Sequence, residues 1–421
     1  MKWKGLLASL LAAAVVLLPL SSAVPADAAA GASSPGAVTI LLDGYPLPFP
    51  VAPVEIRGTT LVPFRAIAEA LGIQVQYDGA AKRITAVKQE GSGSRKVVLT
   101  VGSKQALVDG KVVALPLAPS LISGTTMIPL SFFSQQFGAS VSWTQSTRTV
   151  SIASPPKDLY TLAFYALSSY DEIRYLPSFD EVSFGWSRID RTGEFTTSGA
   201  EYNWPLAAGA TTPESIVQGA AAGGTLPSLM VYSVDGQNEL TRNLEDPALQ
   251  SRTIQAMVDT AVRKGFGGIT LDLEGLGLSG DIAKARTDYN AFVKALSGKA
   301  KAAGLQLTIV VHPLNSAYSG YDYKTLAQLA DQLVLMAYNY SSTKAPEPLA
   351  KVDEAIRLAL KQVPKEKLLL GISSNSEDST SIGVKVGLAK RYGLKGIALW
   401  RMGLLQADWT ALSKTVVWKA Q

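Results

Sequence analysis

The chain has no cysteine and a single histidine, His312, among its 421 residues. The first absence excludes a disulfide framework and a thiol nucleophile, so an exported fold of this sequence must rest on its buried cores. The second excludes a Cys/His metal cluster, which needs several such ligands in one place. An all-carboxylate metal site stays formally open. There is no Gly-x-Ser-x-Gly elbow, no phosphate loop and no dinucleotide fingerprint, which removes the best-marked routes to serine hydrolysis, nucleotide hydrolysis and hydride transfer. Beyond the N-terminus no apolar run is long enough to span a bilayer. No basic stripe carries interleaved aromatics, so nucleic acid is not an expected partner. Carboxylate acid/base chemistry is what this inventory best supports, with no cofactor and no metal expected.

The first residues read as a secretory signal over 1–28. Lys2 and Lys4 form a basic start, residues 6–20 are apolar, and Ala26-Asp27-Ala28 offers a small-residue cleavage site. The run falls short of the ~20 residues of a spanning helix, which favours a cleaved signal over an uncleaved anchor. Cleavage would remove Lys2, Lys4 and Asp27 and lower the net charge from +5 to +4, a small excess suited to an anionic wall. The expected location is therefore secreted or cell-wall associated, outside the cytoplasm. At ~150 residues per domain, the mature length suggests two or three domains.

An internal repeat organises the first half. Gly58-Thr59-Thr60-Leu61-Val62-Pro63-Phe64, leading to Leu71-Gly72, recurs 66 residues later as Gly124-Thr125-Thr126-Met127-Ile128-Pro129-Leu130, leading to Phe137-Gly138. The same offset relates Asp43-Gly44 to Asp109-Gly110 and Tyr77 to Trp143. Two copies are too few for a solenoid and indicate a duplicated module. Each copy is expected to hold a hairpin at Asp-Gly, a short helix started by Pro63 or Pro129, a glycine C-cap and a strand pair. Over about residues 36–153 this half resembles the copper amine oxidase N-terminal-like stalk domain of secreted bacterial proteins. With no histidine or cysteine there, the donor set does not suit copper. The resemblance implies a non-catalytic spacer or a wall-associating module. Ser154-Pro155-Pro156-Lys157 reads as a short, stiff linker.

The second half, residues 157–421, alternates apolar strands with helical spacing. Strands are expected at 162–167, 181–185, 228–233, 268–273, 307–311, 332–337, 367–372 and 396–399, with helices at 251–264, 283–303, 323–329 and 352–362. Eight such units predict an α/β fold, a (β/α)8 TIM barrel behind a duplicated small α+β domain. A doubly wound open sheet is the alternative.

The chemistry concentrates in Gly268-Ile269-Thr270-Leu271-Asp272-Leu273-Glu274. In a strand, Thr270, Asp272 and Glu274 share one face, and two acids on a buried face are costly to desolvate. At the C-terminal end of a barrel strand they would stand at the active-site mouth. This stretch resembles the fourth-strand Asp-x-x-Asp-x-Asp-x-Glu motif of glycoside hydrolase family 18, particularly its bacterial cell-wall and spore-associated members. Asp272 and Glu274 match its last two positions, whereas Gly267 and Thr270 stand where acids are expected. Leu335-Met336-Ala337-Tyr338-Asn339-Tyr340 is similar to the sixth-strand motif, and Gly396-Ile397-Ala398-Leu399-Trp400 to the eighth-strand segment. Residues 180–187, with Trp186, followed by Arg191-Thr192-Gly193-Glu194, are similar to the second strand and its turn. Gly371-Ile372-Ser373-Ser374-Asn375 matches the seventh-strand region poorly.

The resemblance implies substrate-assisted, retaining hydrolysis of β-1,4-linked N-acetylglucosamine-containing polymers, peptidoglycan or chitin. Glu274 would be the acid/base, Asp272 would hold the substrate acetamido N–H, and Tyr338 would bond the acetamido oxygen. Trp400, Asn339, Thr270 and Trp186 are the expected sugar contacts. Tyr202 and Trp204 could stack on sugars or pack at domain contacts. His312 follows the fifth strand at the same mouth and is expected to be structural. With Thr270 replacing an acid, slower turnover or a shifted pH profile is expected, and a weakly active or inactive glycan-binding barrel in an envelope scaffold is the alternative.

Overall fold

The computed structural model describes residues 38–90, 93–341, 343–405 and 409–419. The signal segment read over residues 1–28 lies outside the described residues.

The repeat is visible element by element. Strands Thr39–Leu42, Tyr45–Pro46, Val54–Ile56 and Thr59–Pro63, helix Phe64–Ala70, and strands Gln74–Asp78 and Arg83–Glu90 form the first copy. Sixty-six residues on, they recur as Gln105–Val108, Lys111–Ala114, Ser120–Ile122, Thr125–Pro129, Leu130–Gln136, Ser140–Thr144 and Thr149–Ala153. Pro63 and Pro129 stand at the N-cap rather than inside the first turn. Gly72 and Gly138 follow the helices at φ +67° and +79°, the left-handed backbone a helix end asks of glycine.

The two copies are interleaved. Thr59–Pro63 pairs antiparallel with Thr125–Pro129, and Val62 faces its own repeat equivalent Ile128, so a local two-fold axis passes between them. Thr39–Leu42 of the first copy lies parallel to Thr149–Ala153 of the second. Gln105–Val108 of the second joins the first copy's sheet through the connecting strand Gly93–Thr100. One apolar core, including Val62, Ile67, Ile84, Leu99, Phe133, Phe137 and Ile152, fills the space between.

The rest forms a closed barrel of eight parallel strands: Tyr160–Tyr165, Glu181–Ile189, Leu226–Val234, Gly268–Glu274, Gln306–Val311, Gln332–Leu335, Leu368–Ser373 and Gly396–Trp400. The first strand pairs with both the second and the eighth, which closes the ring. The open-sheet alternative is thereby excluded. The strands are buried on both faces, which is why they read as near-continuous apolar runs. Outward side chains such as Ile269, Leu271 and Leu273 pack in one large cluster with apolar residues of the surrounding helices. Helices Pro213–Ala222, Glu239–Glu245, Ser379–Tyr392 and Trp409–Leu412 are additional to the sequence expectation, as are 3-10 segments Leu167–Ser178, after the first strand, and Lys365–Lys367.

The lumen is layered. At its closed end Glu181 is fully buried and accepts from Gln332 Nε2 at 2.6 Å, Ser228 Oγ at 2.7 Å, Tyr160 Oη at 2.9 Å and Thr308 Oγ1 at 3.3 Å. Lys395 donates to Gln332 Oε1 and lies 4.3 Å from the centre of the Tyr160 ring. Above this polar floor lies an apolar cluster of Leu162, Met230, Val310, Val334, Leu369 and Ala398.

The N-terminal domain meets the barrel at helix Ser379–Tyr392. Arg391 donates to the carbonyls of Pro46 (3.1 Å) and Tyr45 (3.4 Å). A Cβ on Gly387 would stand 2.3 Å from Asp43 Cβ, so glycine there permits the close approach.

Candidate active site

The fourth strand carries its two acids to the open end of the lumen. Thr270 pairs in register with Met230, Asp272 with Tyr232 and Glu274 with Val234 of the third strand. Gly275 then turns the chain at φ +91°, its α-carbon side close against the backbone of Asp235. Asp272 is 3 % exposed, and its Oδ1 has no hydrogen-bond partner among the described residues. Glu274 sits one step nearer solvent, with 27 % of its side chain exposed.

Burial works against ionising either acid. Desolvation pushes Glu274 up to about 7. It raises Asp272 well above the usual aspartate range, and the neighbouring Glu274 charge raises it further. Such a close pair titrates together, with apparent constants that belong to the pair. Around neutral pH such a pair can share one proton and one negative charge, as a general acid with an anionic neighbour requires.

Aromatic side chains close around this pair. Tyr338, just past the sixth strand, and Trp400, ending the eighth, pack on the lumen cluster with Tyr202 and Tyr232. The Tyr338 hydroxyl is held well above its ordinary value by burial, and by the charges of Asp272 and Glu274. Gly371 on the seventh strand makes room for that ring: a Cβ there would lie 3.0 Å from Tyr338 Cε1 and 2.7 Å from the Leu335 carbonyl oxygen. Trp400 meets Phe164 edge-on at 5.2 Å. Tyr202 and Tyr232 stack at 4.0 Å.

The segment after Tyr338 is braced from behind. Asn339 adopts φ +61° and is exposed; its N–H, with that of Tyr340, donates to the buried Glu347 carboxylate at 2.9 and 3.1 Å. Glu347 N donates in turn to Glu377 Oε1 at 3.0 Å, and Glu377 Oε2 meets Lys385 Nζ at 2.5 Å with both side chains enclosed.

Two expected sugar contacts lie elsewhere. Thr270 is 0 % exposed and two residues below Asp272, ~6–7 Å along the strand, so it is sealed inside the lumen. Its hydroxyl has no hydrogen-bond partner among the described residues and does not serve Asp272. Trp186 is also 0 % exposed. The second strand continues to Ile189, past the end read at 185, and Trp186 faces outward against Tyr165, Phe184 and Trp204. It is core between barrel and helices. Trp204 belongs to that outer layer too, whereas Tyr202 stands in the mouth.

His312 and Tyr232 were not singled out as site residues in the sequence. His312 Nε2 lies 3.3 Å from Glu274 Oε2. Burial pushes its pKa down to about 4, so the ring is neutral at pH 7. It stacks on Tyr318 at 3.9 Å, and its carbonyl accepts from Tyr323 Oη at 2.6 Å. Tyr232 was within reach of strand alternation, since its partner across the register is Asp272.

Residues 229–377 match the family described as glycosyl hydrolases family 18, and residues 41–152 match the copper amine oxidase N-terminal domain. The first of these matches lies within the barrel, from the third strand to just past the seventh. Among curated relatives, a Bacillus subtilis protein provisionally named as the sporulation-specific glycosylase YdhD is 25 % identical over 230 residues, half of each chain. The cortical fragment-lytic enzyme of Bacillus anthracis is 26 % identical over 165 residues, 36 % of this chain and 37 % of that one. The chain thus spans half or less of the length of these relatives. Among solved structures, the barrel resembles the spore cortex-lytic enzyme SleL of Bacillus cereus, at TM-score 0.52 and 19 % identity over 62 % of this chain and 75 % of that one. A chitinase of Chromobacterium violaceum gives TM-score 0.51 and 21 % identity over 61 % and 98 %. At these identities the structures establish the shared fold alone.

Proposed function

We propose that this protein is a secreted glycosidase that cleaves β-1,4-linked N-acetylglucosamine-containing polymers by substrate-assisted, retaining hydrolysis. One observation carries the reading: two carboxylates, buried to different depths, end the fourth barrel strand, and burial raises both above the usual carboxylate range. In this mechanism Glu274 gives its proton to the glycosidic oxygen while the acetamido oxygen of the substrate attacks the anomeric carbon. The carbon–oxygen bond to the leaving sugar breaks and an oxazolinium ion forms. Asp272 accepts the acetamido N–H and balances that positive charge. Tyr338 donates to the acetamido oxygen, Trp400 underlies the sugar, and Asn339 reaches it from the exposed loop. Glu274 then takes a proton from the water that opens the ring, which restores the acid.

Peptidoglycan is the favoured polymer over chitin, because curated relatives include cortical fragment-lytic enzymes. Residues 36–153 would serve as a spacer or wall-associating domain beside the catalytic residues 157–421. Comparing wild type with Glu274→Gln on chitooligosaccharides and purified sacculi tests the assignment. Loss of reducing-end release in the variant is expected, and equal yields from the two would remove Glu274 as the acid. A glycan-binding barrel without turnover is the second reading, motivated by Gly267 and Thr270 in place of two inner acids. Affinity for the same glycans without product from wild type would favour it.

A further inference from the structure

The N-terminal domain has a pocket of its own, about 370 Å³, to which both repeats contribute. The first copy supplies Glu55, Thr59 and Thr60 from the hairpin of strands Val54–Ile56 and Thr59–Pro63. The second supplies Ser131 from helix Leu130–Gln136, and Ser142 and Trp143 from strand Ser140–Thr144. The size falls within the ~300–1,000 Å³ of small-ligand sites. Trp143 Nε1 donates to Gln145 Oε1 at 2.7 Å, which orients the indole. Arg148 stands 5.9 Å from the centre of that ring and pairs with Glu55 at 3.3 Å, so ring and carboxylate are held in one arrangement. With these neighbours in place Trp143 is still 40 % exposed.

The duplication supplies an internal control. At the 66-residue offset, Phe64, Arg65 and Tyr77 take the positions of Leu130, Ser131 and Trp143, and Leu121 takes that of Glu55. There the Phe64 and Tyr77 rings meet at 6.3 Å, and the Arg65 guanidinium lies 5.8 Å from the centre of the Phe64 ring. Two bulky side chains thus stand where the second copy has leucine and serine. One element plan is filled at one end of the local two-fold and hollow at the other. The acid and the tryptophan stand at the hollow.

We propose that this pocket binds a neutral saccharide, with a pyranose ring lying on Trp143 and with Glu55, Thr59, Thr60, Ser131 and Ser142 meeting its hydroxyls. A flat indole surface suits the C–H face of a sugar ring, being large and apolar with a polar edge. The four hydroxyl side chains both donate and accept, as sugar hydroxyls do, and the Glu55 carboxylate accepts. The lining holds one acid and, among the described residues, no lysine or arginine, which disfavours a phosphate or a uronate. The domain then grips a glycan directly instead of only spacing the barrel from it. Nothing in this site depends on the glycosidase reading.

Calorimetric titration of the full chain tests this, in a Glu274→Gln background so that no probe is consumed. The probes are a pentamer of N-acetylglucosamine and cellopentaose, which has the same β-1,4 backbone without acetamido groups. Binding is expected to include a component that Trp143→Ala weakens about tenfold. Ser131→Arg should abolish that component by putting the first copy's bulk into the pocket. Tyr77→Ala, made at the related position, should leave it unchanged. The component should hold steady from about 0.1 to about 1 M salt, because no ion pair forms with a neutral sugar. Tighter binding of the pentamer assigns an amino-sugar glycan; otherwise the site takes a plain glucan. Absence of binding by both probes at about 10 mM overturns the proposal. So does binding indifferent to Trp143→Ala and Ser131→Arg, or a steep loss with salt. Failure of the glycosidase reading would change binding at the mouth and leave the Trp143 component in place. If Trp143→Ala melts early, Ser131→Arg decides, since it keeps the indole and replaces an exposed side chain.

Discussion

His312 Nε2 and Glu274 Oε2 lie 3.3 Å apart, yet they do not form an ion pair at neutral pH. Burial pushes the imidazole down to about 4 and the carboxyl up to about 7, so both are uncharged over the window between. The acid must carry its proton to act. Hydrolysis should therefore be flat below about pH 7 and fall roughly tenfold per unit above it as Glu274 ionises. The acid limb should appear where the coupled pair takes up its second proton and, near pH 4, where His312 becomes a cation. A profile of kcat/KM against pH that stays level to pH 9 would contradict this assignment.

Replacing the acid should separate activity from stability. Glu274→Gln is expected to lower kcat by about 10²–10⁴. A carboxyl raised in the folded state contributes stability that is fully present below its ordinary value of 4.5 and lost as pH rises through about 7. The glutamine has no charge to desolvate, so the variant should exceed wild type in stability only at the alkaline end. The gain at pH 8 should be on the order of 2 kcal/mol, after discounting for the exposed edge of Glu274. Thermal melts at pH 5 and pH 8 check the sign; a variant that is less stable at pH 8 rejects the account.

Tyr338 and Gly371 offer a paired test. Tyr338→Phe keeps the ring against the seventh strand and removes only the hydroxyl, so kcat should drop about 10–100-fold with little change in Tm. Gly371→Ala keeps the hydroxyl but puts a methyl 2.7 Å from the Leu335 carbonyl oxygen and 3.0 Å from Tyr338 Cε1. It should cost about 1–3 kcal/mol in stability and reduce activity by displacing the ring. If Gly371→Ala melts and turns over like wild type, the close approach is not a constraint.

The enclosed Lys385–Glu377 pair is the most sensitive support of the mouth. Lys385→Met strands the Glu377 carboxylate inside the protein, which costs about 3–5 kcal/mol for pairs of this kind. Adding Glu377→Gln removes the stranded charge and should recover part of the loss. Urea denaturation measures both. A loss below about 1 kcal/mol for the single variant would mean that water reaches the site.

What the sequence made legible was periodic. Gly268–Glu274 alternates so cleanly that its lumen face, its acids and its place in a barrel can be read from spacing, and the 66-residue offset carries every element of the repeat. Tertiary effects were not legible. Trp186 looked like a loop aromatic because nothing local marks the extension of its strand to Ile189. Thr270 looked like a site residue because alternation gives the face of a strand but not the depth along it. The contact of His312 with Glu274 joins residues of the fourth strand and the fifth-strand loop, and no local pattern encodes it. Helix Pro213–Ala222 was missed for a different reason: its run of alanine and glycine gives a weak apolar stripe, and its Thr212–Ser215 capping box is the clearer sign.

The interleaving of the N-terminal repeats also bears on modularity. Were the first copy excised, Thr149–Ala153 would lose Thr39–Leu42 from its edge, and Gly93–Thr100 would lose Arg83–Glu90. Val150, Ile152, Val97 and Leu99, now enclosed, would face water. Neither repeat is a self-sufficient bead on a string. The smallest heritable unit is the pair, so recombination can graft or delete this domain only in twos.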